Sequence, residues 1–91
     1  MRRLSRRAFY EWLCGFKEDA TVGWTLHSRA CPLATFLGNA CVSKAKYRDL
    51  SGGEFKALPK WARLFIEAVD GIGEGRRVQA NQALIILKEI K

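Results

Sequence analysis

Thr21-Val22-Gly23-Trp24-Thr25-Leu26-His27 alternates side chains without a break. It then runs through Ser28-Arg29-Ala30 into Cys31-Pro32-Leu33-Ala34-Thr35-Phe36-Leu37-Gly38-Asn39. The alternation puts Val22, Trp24 and Leu26 on one side of an extended chain and Thr21, Gly23, Thr25 and His27 on the other, which is the period of a half-buried strand. Pro32 suits the first position of a helix, where its missing N–H needs no partner. Gly38 suits the stop, where φ turns positive. A strand feeding a short helix that ends at a glycine predicts a mixed fold, and the flanking sequence extends it in both directions.

Downstream, Ala40 to Arg48 alternates again and reads as a second strand, with Cys41, Ser43, Ala45 and Tyr47 on one face and Val42, Lys44, Lys46 and Arg48 on the other. Ser51-Gly52-Gly53 is a turn. Glu54 to Leu58 reads as a short third strand with Phe55 inward. Pro59 opens a helix to Asp70 whose buried stripe is Leu58, Trp61, Ala62, Phe65, Ala68 and Val69. Gly71 to Arg77 is a glycine-rich connector, and a last helix runs from Gln79 to Ile90. Upstream, Ser5 is an N-cap for a helix reaching Lys17, with Phe9, Trp12, Leu13 and Phe16 at helical spacing. The expectation is an α+β fold over residues 1–91 as a single compact domain. In it, a small antiparallel two- or three-stranded sheet packs against three to four helices.

Composition narrows the function classes. Forty-eight per cent of the chain is hydrophobic, with ten aromatic rings among Trp, Phe and Tyr, which excludes a disordered chain. No apolar run approaches the roughly 18–20 residues of a bilayer span. The Arg- and Ser-containing start resembles a transit peptide, but it leads straight into an amphipathic segment with core-type aromatics and reads as part of the fold. Three cysteines (Cys14, Cys31, Cys41) are an odd count, so reduced thiols in a cytoplasmic protein are expected rather than a disulfide framework. The net charge of +7 favours polyanionic partners: nucleic acid, a nucleoprotein complex or an acidic protein surface.

Four chemistries can be weighed on spacing. Cys14, His27, Cys31 and Cys41 include no close ligand pair of the kind that preorganises a zinc site, so no metal is expected. Cys31 stands four residues after His27 at a helix start, where a dipole lowers a thiol's pKa. A nucleophilic pair also needs an orienting third group and an oxyanion hole, and neither is evident. Cys31 therefore reads as a cap or core residue and remains the one candidate reactive thiol, with Cys41 as a conceivable resolving partner. Gly71-Ile-Gly-Glu-Gly follows a helix rather than a strand, unlike a phosphate-cradling fingerprint, although Arg76 and Arg77 could hold a phosphate near the start of the last helix. No catalytic set or cofactor motif emerges, which points to a non-enzymatic protein.

The basic residues carry the strongest signal. Lys44, Lys46 and Arg48 at alternating positions project from one strand face, either as a charged guard of a sheet edge or as a phosphate-binding row. Arg2, Arg3, Arg6 and Arg7 crowd the start of the first helix, where cations oppose the helix dipole and do little for that helix. Tyr10 lies nearby as a stacking group.

Cys31-Pro-Leu-Ala-Thr-Phe-Leu37, Leu58-Pro-Lys-Trp-Ala-Arg-Leu-Phe65 with Asp70, and Val78-Gln-Ala-Asn-Gln-Ala-Leu-Ile-Ile-Leu87 together resemble a pattern in small uncharacterised bacterial and phage-type proteins with a Cys-Pro-Leu-Ala helix and a Leu-Pro-x-Trp helix. Gln79 stands where that pattern leads one to expect a Ser or Thr cap. The resemblance implies an element order and no activity.

The leading expectation is a small basic module that binds nucleic acid or a nucleoprotein complex through Arg2, Arg3, Arg6, Arg7, Lys44, Lys46, Arg48, Arg76 and Arg77. One alternative is a phage or mobile-element inhibitor of a host defence complex, anti-CRISPR-like, docking on an acidic protein surface. Another is a thiol-dependent redox switch at Cys31.

Overall fold

The computed structural model describes residues 2–90. Its order is helix α1 (Arg6–Cys14), strand β1 (Thr21–Trp24), helix α2 (Pro32–Leu37), strands β2 (Ala40–Val42), β3 (Lys46–Asp49) and β4 (Lys56–Ala57), helix α3 (Lys60–Asp70), strand β5 (Arg77–Gln79) and helix α4 (Ala80–Glu89). The class is α+β as expected, but the strands form two antiparallel sheets rather than one: β1 with β5, and β2-β3-β4. The strand residue Arg77 was expected in the connector.

The unbroken alternation of Thr21 to His27 does not survive. The register passes from Thr21 opposite Gln79 to Gly23 opposite Val78, leaving Val22 as the extra residue of a bulge. A bulge shifts the period-2 phase, so residues beyond it exchange faces. Val22 and Gly23 are both buried, Thr25 follows inward, and Trp24 and Leu26 turn out to solvent at 45% and 52% exposure. Gly23 is inward because only a glycine fits there. A Cβ would lie 2.5 Å from the Pro32 nitrogen and 2.8 Å from the Ala30 oxygen. In this close approach the Trp24 N–H donates to the Ala30 carbonyl at 2.8 Å, which ties β1 to the start of α2. The buried Thr25 hydroxyl donates to the Gly73 carbonyl and accepts the Arg76 N–H. The glycine-rich connector is thereby fastened to β1.

Ala40 to Arg48 is a hairpin and not one strand. Ala40, Cys41 and Val42 pair with Asp49, Arg48 and Tyr47. Ser43 makes the turn: its N–H donates to the Lys46 carbonyl at 2.8 Å, and its hydroxyl accepts the Lys46 N–H at 3.2 Å. A serine hydroxyl that substitutes for a backbone partner favours a turn over a continuing strand. Paired residues share a face, so Val42 and Tyr47 point toward the core while Cys41, Lys46, Arg48 and Ala57 point outward. Phe55, expected inward, precedes β4 and is 52% exposed, and Leu58 fills the inner position.

The core forms around Phe9. Its ring lies 5.3 Å from Phe36 and meets Phe65 edge-on at 5.1 Å. Leu13, Val22, Leu33, Leu37, Val78 and Leu87 close the cluster from the other elements. On α3 the inward stripe is Ala62, Phe65, Ile66 and Val69, so Ile66 takes the place expected for the exposed Ala68. Helix α1 ends at Cys14 rather than Lys17, which leaves Phe16 partly exposed against the Trp12 ring. No helix among the described residues is long and apolar enough to cross a membrane.

The Gly23 contact gives a direct test. Gly23→Ala forces a methyl group into backbone on the α2 side and should lower unfolding free energy by about 2–3 kcal/mol, measured by urea denaturation. Gly15→Ala, where the added carbon would find its nearest neighbour at 3.4 Å, should shift stability by less than about 1 kcal/mol.

Candidate nucleic-acid interface

The nine basic candidates do not form one patch, and two of them are engaged inside the fold. The last carbonyls of a helix lack intrahelical partners and carry the negative end of its dipole, so a guanidinium suits them. Arg6 donates to the carbonyls of Leu87 at 2.8 Å and Ile90 at 2.5 Å, closing the end of α4. Arg2 donates through its side chain to the Phe36 carbonyl at 2.8 Å and through its backbone to Leu37 at 2.7 Å, closing the end of α2. The arginines that do nothing for their own helix thus finish two others. Arg7 pairs with Glu11 at 3.1 Å in an exposed (i, i+4) bridge, a pairing of small net strength. Arg3 is exposed.

Lys46 and Arg48 share the outward face of β3 as the alternation predicts, but Lys44 does not join them. It sits in the hairpin turn and lines a cleft of about 540 Å³ with Leu26, Arg63, Glu67 and Asp70. There the Asp70 carboxylate accepts the Leu26 N–H at 3.0 Å and Leu26 adopts a left-handed φ of 53°. Two acids in that lining make it mixed in charge, unlike the outer face of β3.

Arg76 and Arg77 are set apart from the start of the last helix: Arg77 opens β5, and the first amides of α4 are already engaged. The Ala80 N–H donates to Ala20 and the Asn81 N–H to Glu18, each at 2.9 Å. The Gln82 side chain accepts the Gln79 N–H at 2.9 Å, so Gln79 serves at the cap position without a Ser or Thr hydroxyl. Arg77 instead stands on β5 directly across from Trp24, and both are exposed.

Two residues that the alternation placed inward therefore belong to the surface, each beside an arginine. Trp24 faces Arg77, and the Arg48 guanidinium lies 5.1 Å from the Phe55 ring centroid. The clue in the sequence was register: pairing through the Gly52-Gly53 turn places Phe55 opposite Arg48. An exposed cation–π contact is worth about 0.5–1 kcal/mol. Arg48 Nε is buried there with no hydrogen-bond partner among the described residues, a deficit of about 1–3 kcal/mol. The contact with the ring therefore leaves one Arg48 donor without an acceptor.

Cys31 caps α2, its sulfur accepting the Ala34 N–H at 3.4 Å. Burial pushes the thiol up to about 11, with Asp70 adding to the rise and the Ala34 and Leu33 amides opposing it. At neutral pH it is a protonated cap. His27 shares a small cleft with it, and the His27 carbonyl accepts the Cys31 N–H at 2.8 Å. Among the described residues no three His, Cys, Asp or Glu side chains gather as a metal site requires.

No protein-family model, curated protein or solved structure matches this chain.

Arg6→Met, which keeps the stem and removes the donors, should lower stability by about 1.5–3 kcal/mol and speed amide exchange in the last turn of α4. For Cys31, the folded-state pKa lies above the unfolded value, so its contribution to stability is full below about pH 9 and is lost as pH rises toward 11. The loss should reach roughly 2–3 kcal/mol and vanish in Cys31→Ala. Alkylation at neutral pH should modify the exposed Cys14 first and Cys31 last.

Proposed function

We propose that this protein is a non-enzymatic, cytoplasmic binding module that engages nucleic acid, free or within a nucleoprotein complex, by neutralising backbone phosphates. The observation that carries the reading is the outer face of β3. Lys46 and Arg48 stand two residues apart on it, with no acid paired to either among the described residues, on a chain of net charge +7. Arg77 adds a cation on the β1-β5 sheet. Arg2 and Arg6, each with one guanidinium nitrogen already on a helix-end carbonyl, contribute mainly through the long-range field.

Phosphate contacts of this kind release counterions and read no base sequence. Affinity should therefore fall steeply with salt and vary little among sequences of one length. Lys46→Glu with Arg48→Glu should weaken binding of a labelled oligonucleotide at least about tenfold near 50 mM salt. The same pair should reduce the slope of log affinity against log salt by about 1.4–1.8, the share of two phosphates. Fluorescence anisotropy at several salt concentrations measures both quantities. An unchanged slope removes β3 from the interface. Failure to bind any bare nucleic acid at low salt, with the same face holding an acidic purified protein instead, would move the reading to an inhibitor that docks by protein contact.

A further inference from the structure

Phe55 differs from the other exposed apolar side chains in its neighbours. It is 52% exposed, so core packing does not account for its position. The Arg48 guanidinium rests 5.1 Å from its ring centroid, and Lys46 projects from the same sheet face. Strand β4 is two residues long and forms the edge of its sheet, with no further strand beyond it among the described residues. The arrangement recurs in the second sheet, where Trp24, 45% exposed, stands across from the exposed Arg77. Each sheet therefore presents one aromatic ring to solvent beside one arginine.

Building on the phosphate-binding reading, we propose that the ligand is single-stranded nucleic acid: Phe55 is a stacking platform for an unpaired base, Lys46 and Arg48 take the flanking phosphates, and Trp24 with Arg77 is a second stacking post. A flat ring open to solvent can accept a base only when that base has left its own stack, which a duplex does not offer. Duplex readers bring a helix or ribbon with a basic edge into a groove. The exposed flank of α3, by contrast, carries Glu67 beside Lys60 and Arg63, and α2 is buried except at Thr35. Arg48 supplies the moving part. Its Nε has no hydrogen-bond partner among the described residues, so turning off the ring toward a phosphate gives that donor an acceptor and uncovers Phe55 for the base. Stacking is indifferent to base identity, which keeps the binding sequence-tolerant.

The test titrates the full chain with four probes of equal length, about 15 nucleotides: oligothymidine, oligouridine, an abasic strand with the same phosphates, and a DNA duplex. The expected order is both single strands at least about tenfold tighter than the abasic strand. Phe55→Leu keeps apolar bulk and removes the ring; circular dichroism confirms its folding. It should weaken the single strands about tenfold and leave the abasic strand unchanged, with Trp24→Leu acting in the same direction. A preference between thymidine and uridine assigns DNA or RNA within the proposal. If wild-type protein holds the abasic strand or the duplex as tightly as oligothymidine, stacking is overturned while phosphate binding stands. If none of the four binds near 50 mM salt, both fall.

Discussion

The seating of the Gly23 backbone against residues 30–32 governs the rest of the architecture. With no Cβ at that position, the chain after β1 folds back closely enough for the Trp24 N–H to reach the Ala30 carbonyl. The same reversal brings the Ser28 carbonyl to the Val42 N–H at 2.8 Å, a backbone link from the segment after β1 to the hairpin. Cys31 is then placed to cap α2, and Phe36 and Leu37 reach the core with Phe9. The accompanying bulge decides which side chains leave the core. Val22 and Thr25 are held inside, and Trp24 is sent to the surface beside Arg77. One close backbone approach thus joins two small sheets around one core and sets half of the candidate interface.

Helix ends explain why a basic chain does not spread its cations over one patch. Four short helices expose many unpaired terminal carbonyls relative to their length, and a domain of this size has little core to offset them. Arg2 and Arg6 answer two of those ends with hydrogen bonds from far along the sequence. The start of α4 is closed by the carbonyls of Glu18 and Ala20 instead of a ligand. Two of the four arginines at the start of the chain are therefore architectural, and Lys46, Arg48 and Arg77 present their cations from strands.

The elements were legible where local chemistry sets them. Ser5, Cys31-Pro32, Gly38 and Pro59 mark helix boundaries through hydrogen bonding and φ preference, and each stands at its boundary. The alternating face of Lys46 and Arg48 was legible for the same reason. Trp24 and Phe55 were misplaced because their faces depend on what the strands meet. The bulge exists because β5 pairs with β1, and β5 lay hidden in three residues after a glycine-rich loop. Likewise the Ala40 to Arg48 alternation fits one strand as well as two, and only the Ser43 turn distinguishes them. Nothing at Arg2 or Arg6 announces a carbonyl more than thirty residues away.

A ring at the surface carries a cost that the fold must tolerate. Phe55 and Trp24 keep apolar area in water that burial would turn into stability, at about 25 cal/mol per Å². In a chain this short the loss is a real fraction of a marginal total. Arg48 reduces it by covering the Phe55 ring, but at the expense of a buried Nε with no partner among the described residues. The free protein therefore holds two small deficits in one place, each of which a phosphate and a base would relieve together. A purely structural aromatic would be expected to remove one deficit without creating the other, as Phe36 does beneath Arg2, whose side chain also satisfies a carbonyl.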